Sequence, residues 1–211
     1  VMVAACQKGL MVPPGVSFVF FNQKAKDLQS SLKLVSSYWD WAPRINPDYY
    51  YKYFGGTAPT HHLYGLNVAL DMILKEGIEA VWRRHEVLAS AIWAAIESWE
   101  KGGELKANIQ DKKLRSAAVT SLHVQTPKGT HIRKWLQANT GLTIGIGLGM
   151  ATPNDPNGDG YFRLGHMGHV NAQMIMALIA TLETAMIAVG VPHGNNAINK
   201  AASIIAKFSE P

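Results

Sequence analysis

Apolar residues change their period along this chain, and each change marks an element. Two short continuous apolar runs open it, at residues 1–5 and 16–21, with a stretch rich in glycine and proline between them. Runs of that length bounded by turn residues predict buried strands joined by a loop. Over 24–37, Leu28, Leu32 and Val35 recur at helical spacing. Pro43 and Pro47 then stop helices, so the aromatic-rich stretch 38–54 predicts ordered loop. The turn cluster 55–60 offers Thr57 or Thr60 as a helix cap. Leu63, Leu66, Leu70, Ile73 and Leu74 follow on one helical face, which Gly77 ends. A second helix over 78–99 turns Ile78, Val81, Trp82, His85, Leu88, Ile92 and Ile96 inward.

The second half of the chain alternates more regularly. Residues 101–113 are charged and contain glycine, which predicts a loop. Over 118–125, Thr120, Leu122 and Val124 alternate with Val119, Ser121 and His123, a strand pattern that Pro127 closes. A short helix over 130–140 has Gly141 past its end. Residues 142–150 are apolar and studded with glycine, which fits a strand or a loop making a close approach. Another strand is predicted over 161–167. Asn171 caps a long helix whose face carries Met174, Ile175, Leu178, Leu182, Ala185, Met186 and Val189, and a last helix runs over 197–208. Strands and helices in this alternation predict an α/β fold, with helices on one face of a small sheet.

Composition narrows the function classes. Of 211 residues, 47% are hydrophobic and 17% charged, enough apolar surface for a sizeable core. No apolar run is long enough to predict a transmembrane helix. A net charge of +5 is spread along the chain rather than clustered, which argues against a nucleic-acid partner. The aromatic stretch lacks the interleaved cations that base stacking wants, so packing under a loop or at a subunit interface is expected. One cysteine excludes an internal disulfide.

Several stretches invite a chemical reading. Residues 155–160, from Asp155 to Gly160, match the opening of a calcium loop. The position that must supply a bidentate carboxylate is His166, and Pro156 sits inside the loop. A strand-entry turn is expected there instead. His61 and His62 point about 100° apart on a helix, and no third ligand joins them or the His166 and His169 pair at a convincing spacing. Structural roles are expected for these histidines, and a hydrogen-bonded core position for His85. Arg163 stands alone in an apolar strand followed by glycines. Burying it is costly without an anion, and its planar guanidinium can grip a carboxylate through two parallel bonds, either that of a ligand or that of a structural ion pair. Lys8 closes the first apolar run. An amine desolvated there would be a candidate for covalent catalysis, or it could be an ordinary surface turn.

The segment from Cys6, Gln7 and Lys8 through Pro13, Pro14 and Gly15 resembles class V pyridoxal 5′-phosphate (PLP) aminotransferases, in particular the alanine/serine–glyoxylate group. That resemblance implies that Lys8 carries PLP and that Gln7 touches the cofactor phosphate. The family usually has serine at Cys6. The run Arg163, Leu164, Gly165, His166, continued by Val170 and Asn171, resembles the family segment whose arginine holds the substrate carboxylate. Thr57 matches a threonine that reaches across a dimer interface to the partner's phosphate. The tyrosine that assists it in the family falls at Phe54, with Tyr53 adjacent.

The resemblance implies fold-type I, with residues 1–76 completing the large cofactor domain and 77–211 forming a small C-terminal α/β domain. It implies a cytoplasmic homodimer moving an amino group from alanine or serine to glyoxylate or pyruvate. The early position of Lys8 leads us to expect the C-terminal half of a subunit, partnered by an N-terminal half. Ureidoglycine–glyoxylate, pyridoxamine–pyruvate and cysteine desulfurase chemistries share the fold, and an inert half-subunit is the non-enzymatic alternative.

Overall fold

The computed structural model describes residues 1–208, so the last three residues of the expected 77–211 domain lie outside the described residues. Contacts divide the chain into two compact units, Val1–Lys75 and Glu76–Pro211.

The first unit opens on an antiparallel ribbon, β1 (Met2–Ala5) paired with β2 (Ser17–Phe20) from Met2 opposite Phe20 to Ala5 opposite Ser17. Both apolar runs are therefore strands, but they are not buried. Val3 is 69% exposed and Phe20 52%, because no further layer of this unit covers these ends of the ribbon. Helix α1 (Gln23–Ser30) is shorter than the predicted 24–37. Asn22 caps its start, while the hydroxyls of Ser30 and Ser31 turn back onto the carbonyls of Lys26 and Leu28. Such local bonds compete with continuation of the helix, and Leu28 and Leu32 are left exposed. The aromatic stretch holds two 3-10 turns, Ala42–Arg44 and Tyr50–Phe54. Helix α2 (Thr60–Glu76) follows. Its buried contact is Ala69, which with Leu66 packs against Cys6, Val12, Val16 and Phe18. Leu70 and Leu74, expected inside, are exposed. Small Ala69 and Gly65 let the helix approach Val12, and that approach decides which side turns inward.

In the second unit α3 (Ile78–Glu100) is the central helix, burying Leu88, Ile92, Ile96 and Trp99. Ile78 and Trp82, at its start, are exposed. A four-stranded antiparallel sheet comprises β3 (Lys106–Ala107), β4 (Val119–His123), β5 (Gly145–Ile146) and β6 (Tyr161–Gly165). Its spatial order is β3-β4-β6-β5. The two-residue β3 lies inside the predicted loop 101–113, held by the Glu100 carboxylate accepting from Ala107 N–H at 2.6 Å. No apolar alternation announces a strand so short. Between the strands lies α4 (Lys128–Thr140), with Gly141 in the left-handed region past its end, and after them comes α5 (Ala172–Ala188), capped by Asn171. Helix α6 (Ala197–Ile205) closes the layer.

Alternation decides the two faces of this sheet. Thr120, Leu122, Phe162 and Leu164 point into a core shared with Trp99, Ile132, Ile175 and Leu182. Ser121, His123, Tyr161 and Arg163 point away from it. Phe162 is fully buried at the centre of that core. Its replacement by alanine should destabilise the second unit by about 3–5 kcal/mol, read as a lower urea midpoint with unchanged m-value. An unchanged midpoint would mean that Phe162 does not fill the core and that β6 pairs in a different register.

Candidate active site

Lys8 sits on the turn that follows β1. Met11 N–H donates to the Lys8 carbonyl at 3.0 Å, and Met11 adopts a positive φ of 59°. Cys6 closes the base of this turn. Its N–H donates to Val16 O at 3.1 Å and its carbonyl accepts from Val12 N–H at 3.0 Å. Its thiol donates to Pro13 O at 3.0 Å and accepts from Val16 N–H at 3.3 Å. Fully buried, Cys6 thus ties both arms of the loop together. Gln7 and Lys8 project from it and are exposed. The expected desolvation of Lys8 is not present, for the same reason that β1 is uncovered.

The loop is fixed to α2 as well. His62 Nε2 lies 3.0 Å from Pro14 O, and a side chain on Gly15 would run into that imidazole. Thr57 lies five positions before His62, in the bend between Gly55, which takes the left-handed conformation, and the start of α2. Its side chain is exposed, and among the described residues no hydrogen bond from the Thr57 or Thr60 hydroxyl caps the helix. Tyr50 packs edge-on against Phe54 at 5.6 Å and Tyr53 at 6.1 Å. Phe54 is half-buried, and Tyr53 is the more exposed of the two. Lys8, Gln7 and Thr57 all belong to the first unit, and Arg163 belongs to the second.

Arg163 lies in the middle of β6, directly opposite Ser121 of β4 and Gly145 of β5. Its Nε–H donates to Ile146 O at 2.8 Å, which leans the guanidinium over β5. The space it enters exists because Gly145 has no side chain. A Cβ there would stand 3.4 Å from Nε and 3.5 Å from Nη2. Across the strand, the Ser121 hydroxyl donates to Met150 Sδ at 3.2 Å. In the next row the His123 and Tyr161 rings meet at a 47° tilt, with centroids 4.6 Å apart. Gly147 lies against Tyr161, where an added side chain would collide.

Behind Arg163 a buried chain of hydrogen bonds holds the end of β6. Trp93 Nε1–H donates to Thr120 Oγ1 at 3.1 Å, and Thr120 Oγ1 lies 2.9 Å from His166 Nε2. His166 Nδ1 lies 3.0 Å from the Ala117 carbonyl. A carbonyl only accepts, so Nδ1 carries the proton and Nε2 accepts from the Thr120 hydroxyl. This arrangement suits a neutral imidazole, the form that burial favours. Burial holds the His166 pKa below the ordinary histidine value, opposed by the Ala117 bond and reinforced by His85. Arg84 braces the following turn, donating from Nη1 to Gly168 O at 3.1 Å and Val170 O at 2.8 Å. Its other nitrogens grip the Glu76 carboxylate side-on at 2.7 and 3.0 Å, which lowers the Glu76 pKa.

The remaining sequence candidates have structural occupations. The Asp155 carboxylate accepts from the backbone N–H groups of Asp159 and Gly160 and from the Thr126 hydroxyl, closing the turn that enters β6. Those bonds, Gly160 first, lower its pKa. His85 Nδ1 lies 2.7 Å from Val81 O on its own helix. Sequence reasoning passed over Ser121, Gly145 and Arg84. Gly145 and Gly147, two positions apart at β5 and just past it, lie against Arg163 and Tyr161, and that spacing is a usable signal for a face kept bare.

The mixed α/β elements agree with fold-type I, the fold of aminotransferases of known structure. The fold matches the crystal structure of ureidoglycine–glyoxylate aminotransferase from Bacillus subtilis with a TM-score of 0.79 at 21% identity, over 97% of this chain and 51% of that one. Residues 1–157 match the Aminotransferase class-V family, and the chain belongs to that family. It is 32% identical over 199 residues to serine–glyoxylate aminotransferase of Methylorubrum extorquens, covering 90% of this chain and 46% of that protein. To the serine–glyoxylate aminotransferase of Arabidopsis thaliana it is 31% identical over 198 residues, covering 91% and 46%. The chain therefore spans about half the length of these curated relatives.

The His166 chain makes a pH prediction. A histidine whose folded pKa is depressed binds fewer protons folded than unfolded, so stability rises with pH through that window. The contribution is full above about pH 6.5, the unfolded histidine value, and is lost as pH falls through the lower folded value. Denaturation midpoints measured from pH 8 to pH 5 should fall less steeply in His166→Gln than in the parent. Identical slopes would show that His166 stays neutral in both states or is not buried.

Proposed function

We propose that this chain supplies the lysine and the carboxylate anchor of a PLP-dependent aminotransferase. The enzyme moves the amino group of a small amino acid, alanine or serine, to glyoxylate or pyruvate. The observation that carries this reading is Lys8, presented on a turn whose base is tied at four points, in a chain of the class-V aminotransferase family. Lys8 Nζ enters no hydrogen bond or ion pair among the described residues.

The donor set suits the cofactor. An amine answers an aldehyde, and the Gln7 amide, the Thr57 hydroxyl and the backbone at the start of α2 offer donors to a phosphate. When bound, PLP supplies an electron sink for the bonds at the donor's α-carbon. Lys8 Nζ would hold the cofactor and, when its amine is free, would move the α-proton as base and then as acid. Arg163 keeps two terminal nitrogens, Nη1 and Nη2, for the substrate carboxylate and so sets the orientation of the α-carbon. The donor leaves as a 2-oxo acid and the acceptor as an amino acid. Desolvation of Lys8 falls to the N-terminal half of the subunit, which we place over the exposed apolar ends of β1 and β2. A desulfurase would need a mobile cysteine, and Cys6 is committed to the loop base, which favours amino transfer.

Borohydride treatment of the cofactor-loaded enzyme should fix the cofactor to the peptide containing Lys8, and Lys8→Ala should abolish that label while circular dichroism stays unchanged. A label on any other lysine overturns the reading.

We place Thr57 against the phosphate held by Lys8 of the partner subunit in a homodimer. Its exposed, uncommitted hydroxyl supports that role, and the resemblance to class V enzymes supplies the partner. Mixing inactive Lys8→Ala subunits with inactive Thr57→Val subunits then yields hybrid dimers with one intact site, and activity should return toward half per hybrid. If hybrids form and stay inactive, Thr57 serves its own subunit.

A further inference from the structure

We propose that Ser121 is a second substrate-carboxylate residue, held in reserve on the Met150 thioether until an anion reaches Arg163. The inference rests on the reading of Arg163 as the carboxylate anchor and adds a specificity-determining residue to it. Ser121 and Arg163 are direct cross-strand partners, so their side chains leave the same face of the sheet side by side. Their flanking residues Thr120, Leu122, Phe162 and Leu164 are all buried on the other face, which excludes the opposite orientation.

The bonding of the pair is what points to a ligand. Arg163 has committed Nε to Ile146 O, leaving the Nη1 and Nη2 end of its fork. A carboxylate offers about four lone-pair sites, and the end of one guanidinium fills two of them. An adjacent hydroxyl donor answers a third. The Ser121 hydroxyl currently donates to Met150 Sδ at 3.2 Å, and a thioether is a weak acceptor. Exchanging it for a carboxylate oxygen replaces a weak bond with a charge-assisted one, roughly twice as strong as a neutral pair. The exchange forms one O–H···O bond, breaks one O–H···S contact and moves no proton.

Met150 ends the turn after β5, where its N–H donates to Gly147 O at 3.1 Å and Leu148 N–H donates to Ile146 O at 2.9 Å. The same turn therefore supplies the acceptor for Arg163 Nε and the temporary acceptor for Ser121. Ligand entry would free Met150 and leave the Arg163 bond to Ile146 in place. Selection follows from this arrangement: a carboxylate brings its charge to both donors, whereas the carbonyl of its neutral amide can accept from the guanidinium but gives the Ser121 hydroxyl no charge-assisted bond.

The test is direct binding to the cofactor-loaded enzyme, with pyruvate and its neutral amide as probes and ligand-observed NMR as the readout. Ser121→Ala should weaken pyruvate about tenfold, the scale of one hydrogen bond to a charged group, and leave pyruvamide unchanged. Ser121→Thr keeps the hydroxyl and should restore pyruvate binding. Met150→Leu removes the competing acceptor and should not weaken pyruvate. Arg163→Lys separates the two readings. If it weakens pyruvate while Ser121→Ala does not, Arg163 is the anchor and the Ser121 proposal is wrong. If neither change weakens pyruvate, the anchor reading and the proposal fall together. Equal losses for pyruvate and pyruvamide in Ser121→Ala would make Ser121 structural and overturn the proposal.

Discussion

Antiparallel pairing of β4 with β6 places two opposite demands on the same ten residues. Thr120, Leu122, Phe162 and Leu164 must fill a core, and Ser121 and Arg163 must stay off it. A slip of one residue in either strand would turn its whole set over, driving a guanidinium into the apolar layer and exposing a phenylalanine. The cost of that alternative is what keeps Arg163 on the outer face. The buried line from Trp93 through Thr120 to His166 adds a directional lock, because each donor in it has one acceptor in reach. Arg84 continues the lock past the end of β6 by holding two carbonyls and the Glu76 carboxylate at once.

The first unit solves a different problem with fewer contacts. Its small core of Cys6, Val12 and Ala69 cannot impose order on a long loop by burial alone. Order at the lysine turn comes from hydrogen bonds that converge on one residue. Cys6 contributes its N–H, its carbonyl and both polar capacities of its thiol, and the loop is left with few free dihedrals between them. A serine hydroxyl would offer the same donor and acceptor pair, so the staple depends on a small side chain that both donates and accepts. His62 secures the far arm from α2.

These two devices answer complementary needs of the proposed chemistry. A lysine that both holds a cofactor and moves a proton must keep a mobile side chain on a fixed backbone, and the Cys6 staple gives that combination. A carboxylate anchor needs the reverse. Leaning Arg163 onto Ile146 O and into the space left by Gly145 limits its side chain before any ligand arrives, so less rotamer freedom is lost on binding.

Much of this was legible in the chain itself. Alternation in 118–125 and 161–167, the cap at Asn171, the stop at Gly141 and the turn after the first apolar run are local signals, and the corresponding elements formed. Lys8 and Arg163 could be singled out from their own stretches, whereas Gln7 and Thr57 were marked only by the resemblance to class V enzymes. What the sequence could not reveal was which elements meet. Hydropathy alone does not show that β1 and β2 form an uncovered ribbon, that Leu70 and Leu74 face outward while Ala69 packs, or that two residues at Lys106 and Ala107 join a sheet. Only the tertiary structure set Ser121 beside Arg163 and made His166 the end of a buried chain of donors. The division has a physical cause. Periodicity and capping act within a few residues of the backbone, whereas strand order, register and the direction of a hydrogen bond depend on groups 17 to 86 positions apart in this chain.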